Sequence, residues 1–157
     1  MIYLRFSFFV LLLLLIGCSS EKNLLPEEFF ELKLQKKLTG SEAKKFVDEL
    51  HFQEVAPDKN EIGFYSSPIG SSIIYITYYN DELTAQTEYE KMINKISPEN
   101  SVFINPEFVN ISGKEIYRCF GMGQSHYVFA KGKELYWVSV DTHFGIKFIE
   151  EYLEYIN

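Results

Sequence analysis

Hydrophobic residues along this chain follow three patterns in turn. Phe8 to Ile16 is an unbroken apolar run, shorter than the ~20 apolar residues a bilayer span needs. Period 2 appears next: Phe30, Leu32 and Leu34 alternate with Glu31, Lys33 and Gln35, which predicts a strand over Phe29 to Leu38. Pro26-Glu27-Glu28 would open a helix there equally well. The spacing then turns helical. Thr39-Gly40-Ser41-Glu42 fits a capping box, in which hydroxyl and carboxylate each satisfy a free amide. Ala43, Phe46, Val47 and Leu50 follow on one helical face.

The second half repeats this alternation of periods. Glu61 to Ser66 predicts a short strand, and Pro68 with Gly70 turns the chain. Ser72 to Tyr79 is apolar on both faces, as expected of a mid-sheet strand with both sides covered. Asp81 can cap a helix whose stripe is Ala85, Tyr89, Met92, Ile93 and Ile96, and Ser97-Pro98 ends it, because a residue before proline resists helical geometry. Two hairpins come next. Val102 to Ile111 and Lys114 to Gly121 flank Ser112-Gly113; Ser125 to Ala130 and Glu134 to Val140 flank Lys131-Gly132-Lys133. Asp141 or Thr142 then caps a last helix with Phe148, Ile149, Tyr152, Leu153 and Ile156 on one face. The order is (β)-α-β-β-α-β-β-β-β-α. Tight turns make the sheet mostly antiparallel, with about three amphipathic helices packed on it: a two-layer α+β domain.

The apolar run at the start changes this picture. Arg5 is the one charge before it, and it ends in Leu15-Ile16-Gly17-Cys18. That segment resembles the lipobox of bacterial lipoprotein precursors: two aliphatic residues, a small residue, then cysteine. The resemblance implies a cleaved signal over 1–17, with Gly17 and Cys18 flanking the cut and Cys18 carrying the lipid. Residues 18–28 would then hold the lipidated cysteine and a short tether, polar from Ser19 to Asn23, with one domain over 29–157. It also implies the cell envelope, facing the periplasm, and Ser19 in place of Asp favours the outer membrane over the inner. Beyond these first residues the chain is not assigned to a family.

Charge narrows the partners. Cleavage removes one Arg and no acid, so the 140 mature residues carry 14 basic and 22 acidic side chains, a net charge of −8. An acidic chain without a Lys/Arg cluster is a poor match for nucleic acid or for electrostatic adhesion to anionic lipid. Membrane attachment would come from the lipid alone. With Cys18 consumed, Cys119 has no intramolecular partner, and a lone thiol reads first as a small core residue.

Candidate chemistry is sparse. The hairpin register sets Tyr117 opposite Phe108, Cys119 opposite Pro106, and Arg118 opposite Glu107 as a cross-strand ion pair. Gly121-Met122-Gly123-Gln124-Ser125-His126 is the most pointed stretch. Its plain reading is a tight strand connection with a histidine at the sheet edge. Its sharper reading is a small-ligand site on an aromatic face formed by His126, Tyr127, Tyr136 and Trp137, which requires a concave pocket with convergent polar groups. The register also puts Ser139 on the face of His126. His51, His126 and His143 are far apart in sequence, without metal-ligand spacing, so no metal is expected. Met122 and His126 could in principle ligate haem, but nothing else supports it, and no cofactor is expected. The serine pairs lack a nucleophile elbow, and the adjacent carboxylates read as solvated helix positions. The expectation is a non-enzymatic module that binds an envelope protein or joins an assembly.

Overall fold

The computed structural model describes residues 22–51, 56–96 and 102–157. The lipobox with Gly17 and Cys18, and the Ser97-Pro98 helix stop, lie outside the described residues. The elements are β1 (Glu28–Phe29), β2 (Leu32–Thr39), α1 (Gly40–His51), β3 (Asn60–Ser67), β4 (Gly70–Tyr78), α2 (Glu82–Ile96), β5 (Ile104–Ile111), β6 (Lys114–Gly121), β7 (Gln124–Lys131), β8 (Glu134–Asp141), a 3₁₀ turn (Thr142–Phe144) and α3 (Gly145–Ile156). This is the predicted α+β order, with one addition. Phe30 and Glu31 both take positive φ, at 53° and 60°. They turn β1 back onto β2, so the ambiguous N-terminal segment is a small hairpin.

The strands form one sheet in the order β1-β2-β3-β4-β8-β7-β6-β5. Every neighbouring pair is antiparallel. Two meanders, β1–β4 and β5–β8, thus join through β4 and β8 at the centre. The two-residue turns explain the hairpins: Ser112-Gly113 and Met122-Gly123 have positive φ at both positions, as the turns matching strand twist require.

The two-layer expectation needs correction. Alternation along β4 sends Ile74 and Ile76 to one face and Ile73 and Tyr75 to the other, and both faces are covered. On one face α3 packs Phe148, Ile149, Tyr152, Leu153 and Ile156 against Tyr127, Phe129, Tyr136 and Val138. On the other, α2 places Tyr89 and Ile96 over Cys119, Val128 and Leu135, and α1 places Ala43 and Phe46 over Leu38 and Ile62. Helix, sheet and helix make three layers. Each fully buried aliphatic or aromatic side chain contributes roughly 1.5–3 kcal/mol, so both faces matter to stability.

Four local expectations change. The domain starts before residue 29: Leu25 is buried, and the hydroxyls of Tyr155, Tyr152 and Tyr65 donate to the carbonyls of Asn23, Leu24 and Pro26. Asp141 does not cap α3. It accepts from the Ser71 amide at 2.9 Å and the Ser71 hydroxyl at 3.2 Å, tying β4 to β8. Cys119 does not face Pro106 alone, because β5 pairs Ile104 with Phe120 and Glu107 with Arg118, leaving Asn105 and Pro106 as a bulge opposite one residue. His126 lies inside the sheet, on β7 between β6 and β8, not at its edge. By contrast Asp81 does cap α2, accepting from the Thr84 amide at 2.8 Å.

Candidate functional site

Strand register decides which of the predicted residues can meet. His126 pairs with Ser139 on β8 and Cys119 on β6, and Val128 pairs with Trp137. Alternation therefore puts Cys119, His126, Trp137 and Ser139 on the α2 face. Tyr127 pairs with Val138 and Tyr136 with Phe129, so these two tyrosines point through the sheet to α3. The expected aromatic face of four is split by the sheet. Only His126 and Trp137 come together.

Around that pair the polar atoms form a closed chain. His126 is 2% exposed. Its Nε2 lies 3.1 Å from the Gly121 carbonyl, an acceptor only, so Nε2 carries the proton and donates. Nδ1 is then the acceptor and lies 2.9 Å from Ser139 Oγ. Trp137 Nε1 donates to that same oxygen at 2.9 Å and lies 3.2 Å from His126 Nδ1. The indole gives its hydrogen to the serine, the serine to the imidazole, and the imidazole to the backbone. Phe103 closes the arrangement edge-on, 4.8 Å from His126 and 5.4 Å from Trp137 between ring centroids. Burial pushes the His126 pKa down, although the Gly121 bond opposes it. The ring is neutral, with both nitrogens committed.

Cys119 sits beside His126 in the register and is fully buried. Burial raises its thiol to about 11. Both histidine nitrogens are engaged elsewhere, so the imidazole does not draw off the thiol proton, and an unactivated thiol is a poor nucleophile. On the opposite face Tyr127 is buried, its pKa raised by desolvation while bonds from Ser125 and Arg118 oppose the rise. Tyr136 stacks on Phe129 at 4.8 Å, with 8° between the planes. Arg118 makes the predicted pair with Glu107 at 2.6 Å.

The sequence identified Ser139 as a face-mate of His126, but Phe103 was missed. It precedes a bulge, where strand alternation gives no guide. A groove of about 320 Å³ opens elsewhere, between α1 and β2, lined by Lys36, Leu38, Glu42, Lys45, Phe46 and Glu49. Its charges are of both signs, with Lys45 and Glu49 3.8 Å apart, and none of the predicted site residues reaches it. Among the described residues no three His, Cys, Asp or Glu side chains gather as a metal set, and no helix is long and apolar enough to cross a membrane.

Comparison with family models, with curated proteins and with solved structures returned no match.

Proposed function

We propose that this chain is the precursor of a lipid-anchored envelope lipoprotein, held at the outer membrane and facing the periplasm. Its α+β domain acts without catalysis, by binding a partner protein or taking its place in an envelope assembly. The observation carrying this reading is the order Leu15-Ile16-Gly17-Cys18 behind Arg5 and the apolar run from Phe8 to Ile16. The His126 network supports a structural role for the polar cluster, since its hydrogen-bonding capacity is spent inside the sheet.

Cys18→Ala tests the anchor. The variant should leave the membrane fraction or accumulate as unprocessed precursor, and should lose incorporation of labelled fatty acid. Normal lipid labelling would sink the reading. For the domain, native mass spectrometry of residues 19–157 exported to the periplasm should give the bare polypeptide mass. A reproducible extra mass lost on unfolding would instead favour a small-ligand module around His126 and Trp137.

A further inference from the structure

Two pieces close the α3 face of the sheet. Helix α3 lies over β7 and β8. Beside it, over β2 and β3, lies the N-terminal segment from Asn23 to Phe30, and it is held there as a bound peptide would be. Its carbonyls at Asn23, Leu24 and Pro26 accept from the hydroxyls of Tyr155, Tyr152 and Tyr65 at 2.6, 2.9 and 3.0 Å. The Glu27 carbonyl accepts from the Leu34 amide at 2.9 Å. Leu25, 1% exposed, fills a space that a glycine opens, since a Cβ on Gly63 would lie 3.1 Å from its Cδ2. The Phe29 ring centroid lies 5.2 Å from that of Phe148 and 5.7 Å from that of Tyr152. Main-chain contacts, a leucine socket and an aromatic anchor are the means by which proteins recognise extended peptides.

A two-residue turn, Phe30-Glu31, ties this peptide to β2. Both residues take positive φ, 53° and 60°. The other two turns with consecutive positive φ among the described residues, Ser112-Gly113 and Met122-Gly123, each contain a glycine. This one contains none. A non-glycine residue in this region is disfavoured by roughly tenfold. The Phe30 ring stacks on Phe144 at 5.4 Å, but Glu31 is exposed and burial does not offset its strain. Short hinges under strain favour exchange of a segment between copies.

We propose that the groove between α3 and the β2–β3 pair is a peptide site that takes the Asn23 to Phe29 segment of a second copy of this chain, each copy supplying the other's. Opened at Phe30-Glu31, β1 runs straight on into β2. The tyrosine bonds, the Leu25 socket and the β1–β2 pairing then re-form between chains, and the strain of the turn is released. The Phe30–Phe144 stack is given up. The occupant is a second copy because the donors, the socket and the aromatic anchor already fit this sequence. Such an exchange needs neither the lipid nor a different protein, and so goes beyond the anchored-lipoprotein reading.

The test uses the full chain in cells, expressed with two different C-terminal tags and with a photo-crosslinking residue replacing Phe29. Beside the internal crosslink at chain mass, we expect an adduct of twice that mass that carries both tags and joins position 29 to residues 148–155. Phe30→Asn with Glu31→Gly relaxes the closed turn and should lower the share of that adduct at least about tenfold. Deleting Phe30 and Glu31 leaves too little chain to turn back and should make the adduct the main product. Crosslinks at chain mass alone in the parent, an adduct with a different protein, or a two-tag adduct whose share the Asn-Gly turn leaves unchanged would each overturn the exchange. A urea midpoint for the Asn-Gly chain no lower than the parent's shows that its fold is kept. If the deleted chain does not fold, the parent and the Asn-Gly chain decide the matter between them.

Discussion

At the scale of single residues, the His126 network is a pH-dependent part of the fold. Protonation of Nδ1 would set a proton against the hydrogens of Ser139 and Trp137, on a ring that is 2% exposed. The folded-state pKa lies below the ordinary value because burial disfavours the cation. As pH falls, the unfolded chain takes up its proton first, near 6.5. The contribution is therefore complete above that pH and is lost as pH drops toward the folded-state pKa. His126→Gln keeps an amide donor and an acceptor but removes the titration. Urea midpoints measured between about pH 7.5 and about pH 5.5 should fall less steeply for this variant than for the parent. Equal slopes would show that another group governs acid lability. The sequence already put Ser139 and Trp137 beside His126, since face-sharing follows from a two-residue turn. It could not show that both ring nitrogens are occupied, because the Gly121 carbonyl comes from a neighbouring strand and Phe103 from beyond a bulge.

At the scale of elements, helices and hairpins were legible because their periods are long and their turns carry glycine. The stripe of α3 was predicted residue for residue, and all five of its members are buried. The N-terminal segment was not legible. Asn23 to Phe29 has no sustained period, and the groups that hold it are tyrosine hydroxyls from β3 and α3, more than thirty residues away. Reading it as tether predicts that Leu25 can be truncated freely. Its burial under the α3 face predicts otherwise, since Leu→Ala at a packed position costs about 2–5 kcal/mol. Leu25→Ala should lower the urea stability of the domain by that amount, whereas Asn23→Ala should cost less. A loss for Leu25→Ala below about 0.5 kcal/mol would return the segment to the tether, since exposed positions away from such packing rarely cost more.

At the scale of the whole molecule, the question left by an open eight-stranded sheet is what keeps its edges from pairing with other chains. One edge is mostly β2, with β1 covering only its first residues. There Lys33, Lys36 and Lys37 put charge along the strand, and the register breaks between Leu34 and Lys36. The β5 edge carries a single charge, Glu107, paired with Arg118 of β6, and it exposes Ile104 and Phe108. Its protection is in the backbone. Pro106 has no N–H to offer, and Asn105, at φ +52°, makes the bulge that twists the strand out of line. Removing both features should convert the edge into a pairing template. Deleting Asn105 with Pro106→Val restores an unbroken alternation and the missing donor, without touching the core that α2 and α3 bury. Sedimentation velocity at rising concentration should then show self-association beyond that of the parent chain. Adding Phe108→Lys to the same background should reverse it, because a charge on the strand disfavours edge pairing whatever the backbone allows. If the deleted chain sediments as the parent does, the bulge is not what guards this edge, and the exposed Phe108 and Ile104 are tolerated for another reason.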